Sequence, residues 1–557
     1  MSVVLKPSRR RFLKSTGLLL GAAVPGVAGV RTAFAAPAYI TLDGNRPQLD
    51  QGIQIGDVRA DRAMIWSRTD RPSRMIVEYD FDGSFAEPVM LRGPHALQTT
   101  DYTSRLDLTG LPADREVFVR VSYQDLSNER VMSEAVSGRF VTAPIGARDI
   151  RFVWSGDTAG QGWGINPDFG GMKIYEAMRQ TQPDFFIHSG DNIYADGPIS
   201  EYQDAEDGKV WRNLVTEEVS KVAESLDEFR GRYKYNLMDE NVRRFNAEVP
   251  QIWQWDDHEV VNNWSDSKDL SGDIRYSEKN VPLLVARGSR AFQEYAPMRP
   301  FSAVESERVY RHIPYGRLMD VFVLDMRSYR GPNTDNRQTE ASPETAFLGA
   351  EQVAWLKRKL AESRAVWKVI AADMPIGLLV RDGAKWENLA NGDGEPLGRE
   401  LEMADLLRYI KRAHIKNTVW FTADVHYCAA HYYDPNKAQF QDFDPFWEFV
   451  TGPLNAGSFG PNGLDNTFGP QVVFQKAPPA ANTSPFGGYQ FFGQVDIDAR
   501  TAEMTVALKD IDGATVFTKT LAPEGRGHGY GHGHGDKHDH EHDHGRGRDR
   551  DRDRDRR

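Results

Sequence analysis

Six apolar runs in this 557-residue chain end in side chains able to hold a cation. The run 150–154 meets Ser155-Gly156-Asp157, and 185–187 leads into His188-Ser189-Gly190-Asp191-Asn192-Ile193-Tyr194. Segment 251–255 ends in Asp256-Asp257-His258-Glu259, with Asn262-Asn263-Trp264 just beyond. Further on, 321–324 reaches Asp325-Met326-Arg327, 366–372 reaches Asp373, and 418–422 reaches Ala423-Asp424-Val425-His426. A single aspartate after a strand is ordinarily a turn or capping residue. The full set, with its two Asp and His pairings, reads as a metal site. Crowded carboxylates repel one another until cations neutralise them, and oxygen and imidazole donors suit hard ions.

Such residues meet only if the chain brings its strand ends to one edge. From Arg151 onward apolar strands alternate with helical stretches, the rhythm of an α/β layered core in which C-terminal strand ends share a crevice. Helices are predicted at 171–180, 281–295, 350–363 and 400–413. In the third, Val353, Leu356 and Leu360 form a stripe that packs on a sheet. Segments 490–498 and 503–509 read as a β-meander turning at Asp510-Ile511-Asp512-Gly513. Ahead of this core, 38–145 shows short alternating runs, with Leu108-Thr109-Gly110-Leu111-Pro112 resembling the turn before a strand in a fibronectin-type sandwich. The expected division is therefore an N-terminal β-sandwich (38–145), a catalytic domain (150–522) and two tails.

Both tails are compositionally distinct. Residues 1–35 carry six cations and no acid: Ser8-Arg9-Arg10-Arg11-Phe12-Leu13-Lys14, a mildly apolar run interrupted by Gly and Pro, then Ala33-Phe34-Ala35. That is the pattern of a twin-arginine export signal, and the run is short for a spanning helix of ~20 residues, so no permanent membrane anchor is expected. The expected location is periplasmic or extracellular. Residues 523–557 collapse to Gly, His, Asp and Arg and hold seven of the 14 histidines, either as a metal-collecting tail or as a solvated low-complexity end. The net charge of −12 is more negative once the basic leader is removed, so a nucleic-acid partner is not expected. The lone Cys428 excludes an internal disulfide and reads as a small buried hydrophobe.

The motifs Gly190-Asp191-Asn192-Ile193-Tyr194, Trp255-Asp256-Asp257-His258-Glu259-Val260, Asn262-Asn263-Trp264, Leu324-Asp325-Met326-Arg327-Ser328-Tyr329-Arg330 and Ala423-Asp424-Val425-His426, in this order, resemble the PhoD-type alkaline phosphatase family of calcineurin-like metallophosphoesterases. Ala291-Phe292-Gln293-Glu294-Tyr295-Ala296-Pro297 resembles that family's helix before a proline. The resemblance implies a four-layer αββα core behind a fibronectin-like module, and hydrolysis of phosphate mono- or diesters by metal-activated hydroxide. It also implies two or three metal ions, Fe3+ and Ca2+ in the first place, with Asp191 bridging two of them. Tyr194 would ligate ferric iron, Asp424 and His426 would complete the cluster, and Asn262 or Asn263 would add a hard donor. Asp257 and His258 would face metal, phosphate and leaving group, while Arg327 would contact a phosphate oxygen. One departure stands out: the family often places a cysteine ligand after its first strand, where this chain offers only Asp157. An oxygen in place of sulfur leaves room for Mn2+ or Zn2+. A phospholipase-D-like diesterase, favoured by any exposed aromatic surface from Trp163, Trp264 or Phe446-Trp447, and a non-catalytic metal-binding surface protein are the alternative readings.

Overall fold

The computed structural model describes residues 42–525 and a two-residue strand, Val4–Leu5; the rest of the expected export signal and nearly all of the expected tail lie outside the described residues. Strands covered on both faces read as unbroken apolar runs. Ile150–Ser155, Phe185–Ser189 and Gln251–Gln254 are buried along nearly their whole length and lie side by side and parallel, although Arg151, Gln251 and Gln254 interrupt the apolar pattern. They form the centre of a nine-stranded sheet. On one side it continues through the antiparallel Phe491–Ile497, Met504–Asp510 and Thr515–Leu521, the last being a third meander strand that the sequence reading does not name. A second, seven-stranded sheet contains the parallel set Met319–Val323, Trp367–Ala371, Thr418–Thr422 and Phe446–Val450.

The two sheets face each other across Phe152, Trp154, Phe185, Val323, Phe421 and Phe449. Alternate residues of the same strands point outward. Val153, Phe186 and Trp253 meet the helices Ile174–Gln180, Leu226–Asn236, Glu240–Glu248 and Val281–Tyr295. Phe322, Ile370 and Trp420 meet Ala350–Glu362 and Glu400–Arg412, the former through Val353, Leu356 and Leu360. The order helix, sheet, sheet, helix is an α/β layered core, as the alternation suggests, with the four layers that the family resemblance implies. Two of these helices escape the period-based reading, although Ser225 and Glu228 form a complete capping box ahead of Leu226–Asn236.

The N-terminal segment is a β-sandwich, but one of its sheets is not its own. Ile53–Gly56, Arg62–Arg68 and Thr103–Thr109 extend the nine-stranded sheet, joined through the pair Gly56 and Gln251. Their inner face packs on a five-stranded sheet through Ile53, Ile65, Met75, Val77, Val119 and Val121. A buried ion pair ties the same junction, with Arg311 donating to Asp57 Oδ1 at 2.9 and 3.0 Å.

Candidate metal centre

Parallel strands deliver their C-terminal ends to one edge, and both sheets do so here. Asp157, Asp191 and the pair Asp256 and Asp257 follow three adjacent strands of one sheet; Asp373 and Asp424 follow two adjacent strands of the other. Three groups of ligand atoms result, each within 4.8 Å of one another: Asp157, Asp191 and His426; Asp191, Asp257 and His258; Asp256, Asp257 and Asp424. Asp191 belongs to the first two and Asp257 to the last two, so two shared carboxylates link three clusters in a chain. Tyr194 joins the first, its hydroxyl 2.8 Å from His426 Nε2 and 3.4 Å from Asp157 Oδ1.

The local backbone is strained where these candidate ligands sit. Asp157, Asp191, Asp424 and His426 all adopt positive φ, between 50° and 71°, a region that non-glycine residues enter at a cost and that gathers at functional sites. Gly190, at φ 96°, has no such penalty and lets two strand ends close up: a Cβ there would stand 2.5 Å from the Cβ of Asp256.

Fixed neighbours aim the donors. His426 gives Nδ1 to the Gly457 carbonyl, which leaves Nε2 toward Tyr194 and Asp157. His258 bonds Asp196 through Nδ1 at 2.6 Å, stacks on Tyr194 with ring centroids 4.2 Å apart, and keeps Nε2 3.9 Å from Asp257 Oδ1. Glu259 is a brace: it accepts from the backbone of Asn192 at 2.6 Å and of Asp256 at 2.8 Å.

The donor set fits cations. Asp157 Oδ2, Asp256 Oδ2, Asp257 Oδ1 and both oxygens of Asp373 are buried without a hydrogen-bond partner. A buried carboxylate in that condition is tolerated only with a counter-charge or a proton. Burial, then the charges of Asp257 and Asp256, pushes Asp191 well above the ordinary carboxylate range; burial and Asp256 do the same to Asp424. For His258, burial alone would lower the imidazole, but Asp196 and Asp257 carry it up to about 9.

Several expectations change. Arg327 is engaged by carboxylates: its fully buried guanidinium donates to Asp256 at 2.5 Å and to Glu387, and lies 3.9 Å from Asp257 Oδ2. Asp325 sits apart from the clusters, capping its own turn by accepting from the backbone of Arg327 and Ser328. Asp424 groups with Asp256 and Asp257 rather than with His426. Asn262 and Asn263 give backbone N–H groups to Asp196 and Asp257, and the Asn263 amide nitrogen reaches the Arg381 carbonyl at 3.4 Å. Trp163, Trp264 and Phe446 are buried, and Trp447 is half-buried and stacked on Phe449, so only Trp447 presents part of its ring to solvent. Cys428 is buried on the strand Cys428–Tyr433, as a small hydrophobe would be. Asp256, Asp196 and Glu259 are participants that the sequence reading did not single out; Asp256 and Glu259 stood in plain view beside Asp257.

Known proteins share this arrangement of chain. Residues 152–508 match the model of the PhoD-like phosphatase family, and residues 34–144 match that of the PhoD-like phosphatase N-terminal domain. Alkaline phosphatase D of Bacillus subtilis (strain 168) is 25% identical over 518 residues, spanning 86% of this chain and 81% of that one. A solved structure of PhoD superposes with a TM-score of 0.64 at 20% identity, covering 87% of this chain and 90% of the other. A purple acid phosphatase from yellow lupin (Lupinus luteus) seeds superposes at 0.53 and 13% identity, covering 87% and 76%. With a family model matched over more than half its length, the chain belongs to the PhoD-like phosphatases and is a phosphoric ester hydrolase.

Proposed function

We propose that this protein is an exported, metal-dependent hydrolase of phosphate monoesters and diesters, with two or three cations held by the linked clusters. The carrying observation is the sharing of Asp191 and Asp257 between neighbouring groups. In this reading Asp157, Asp191, Tyr194 and His426 hold one cation, and the phenol favours Fe3+ there. Asp191 with Asp257, and then Asp256, Asp257 and Asp424, offer carboxylate oxygen, which suits Ca2+ or Mn2+. When bound, such ions withdraw charge from the phosphoryl oxygens and acidify water for in-line attack.

The chain's own groups do the rest. Asp196 fixes the His258 ring so that Nε2 faces the cluster, placed to give a proton to the departing alkoxide oxygen. Arg327 acts through the carboxylates, holding Asp256 and Asp257 in place instead of touching substrate. The twin-arginine pattern in residues 1–35 supports passage by that export machinery to the periplasm or exterior. Among the described residues no helix is long and apolar enough to cross a membrane.

The test is hydrolysis of p-nitrophenyl phosphate and bis-p-nitrophenyl phosphate before chelation, after it, and after adding back single metals. Loss on chelation with recovery on add-back is expected. A protein that binds metal yet hydrolyses neither ester would instead be a non-catalytic metal-binding member of the family.

A further inference from the structure

Directly beside the first cluster lies a cavity of about 30 Å³ whose lining includes Thr158, Tyr175, His188, Asn192, Tyr233 and Asn246. Thr158 and Asn192 each follow an aspartate of the first cluster in the chain. No Asp, Glu, Lys or Arg contributes to the wall. His188 does not add charge either: burial, only partly offset by the Gly190 carbonyl, lowers its imidazole to about 3. An ion would lose its hydration there without a counter-charge, whereas a small neutral hydrogen-bonding molecule would not.

The wall carries unspent polar atoms. Asn192 commits its amide nitrogen to the Gln254 carbonyl at 2.7 Å and to Glu259 at 2.9 Å, which fixes its orientation and leaves Oδ1 without a donor. The Tyr233 hydroxyl has no acceptor. These residues are 4% and 3% exposed, so bulk water does not satisfy them. By contrast, Thr158 Oγ1 is already engaged, by the Tyr175 hydroxyl at 2.9 Å and His188 Nε2 at 3.1 Å. An unmatched donor and an unmatched acceptor on one small cavity match the two faces of a water molecule, and the volume holds roughly one or two.

We propose that this cavity is a site for ordered water that accepts from Tyr233 and donates to Asn192 Oδ1, and that Tyr233 is thereby a positioning residue for the Asn192 and Asp191 corner of the metal centre. The positioning half rests on the phosphoesterase reading; the water site does not. The experiment pairs a crystal structure at about 1.5 Å or better of the metal-loaded protein with one of Tyr233→Phe, together with steady-state kinetics on p-nitrophenyl phosphate. A solvent peak within hydrogen-bond distance of both atoms is expected, weakened or lost in the variant. The variant's kcat is expected to fall about threefold to tenfold, below the usual range for groups just outside a metal's ligands, with KM unchanged. A dry cavity, or a Tyr233→Phe enzyme with unaltered kcat, overturns the proposal. Should the variant not fold, the wild-type density alone decides the water site. A dry cavity in an active enzyme refutes the water and leaves the hydrolase reading intact, while a wet cavity in an inactive protein does the reverse.

Discussion

Among single residues, some side chains face the metal cluster directly and others hold those that do. Asp196 belongs to the second kind, since its carboxylate meets His258 Nδ1 and also accepts from the Asn262 backbone. Replacing it by asparagine keeps the shape and removes the charge that orients the ring. Asp196→Asn should lower kcat about 10-fold to 100-fold while KM changes little, as steady-state kinetics would show. A rise in KM at constant kcat would mean that Asp196 serves substrate binding instead. Much of the candidate metal cluster was legible in the sequence because acids and histidines that end adjacent strands are carried to one edge: Asp157, Asp191, Asp257, Asp424 and His426 announce themselves in this way. Arg327 misleads for a physical reason. A guanidinium suits phosphate and carboxylate equally, and nothing in the local pattern tells that Asp256 and Glu387, 71 and 60 residues away, claim it first.

At the scale of elements, loops held by buried polar contacts set the edges of the centre. The segment that follows Glu387 returns to the helix Glu400–Arg412 through Glu400, which accepts from the Asn391 amide at 2.9 Å and the Leu397 backbone at 3.2 Å. Burial and the neighbouring Asp465 carboxyl raise Glu400 from 4.5 to about 9. The folded chain therefore keeps this carboxyl protonated where the unfolded chain ionises it. Its contribution to stability is complete below about 4.5 and is lost progressively as the pH rises toward 9. Thermal melts across that window should show wild-type stability falling more steeply with pH than that of Glu400→Gln; parallel curves would contradict a protonated Glu400 in the folded chain. Strands and long amphipathic helices were readable from period alone. The helices Leu226–Asn236 and Glu240–Glu248 were not: in the first, polar residues such as Arg230, Arg232 and Asn236 are buried beside Phe229 and Tyr233, so its apolar stripe is broken.

At the scale of the whole molecule, the sandwich and the layered core share a sheet, and Asp57 is the polar rivet of their junction. Besides Arg311 it accepts from the Arg299 backbone at 2.8 Å. Asp57→Ala strands a buried guanidinium and should cost about 3–5 kcal/mol in denaturant unfolding, with Asp57→Ala/Arg311→Met recovering part of the loss. No recovery in the double variant would place the cost elsewhere. Sequence reading found the sandwich but not the shared sheet, because strand pairing between Gly56 and Gln251 is set by packing almost 200 residues apart and leaves no local mark.

The central claim is that donors scattered along the chain trap cations jointly and that hydrolysis depends on them. Its most direct test compares wild-type protein with Asp191→Ala, purified alike, for metal content by mass spectrometry and for turnover of p-nitrophenyl phosphate. The His-rich tail is identical in both, so any metal it collects cancels in the difference. The account predicts that the variant loses at least one metal equivalent per chain, and that its kcat/KM drops by at least about 100-fold, the upper end of what removing a group outside the ligands costs. A variant with the full metal complement and near-wild-type turnover would contradict it.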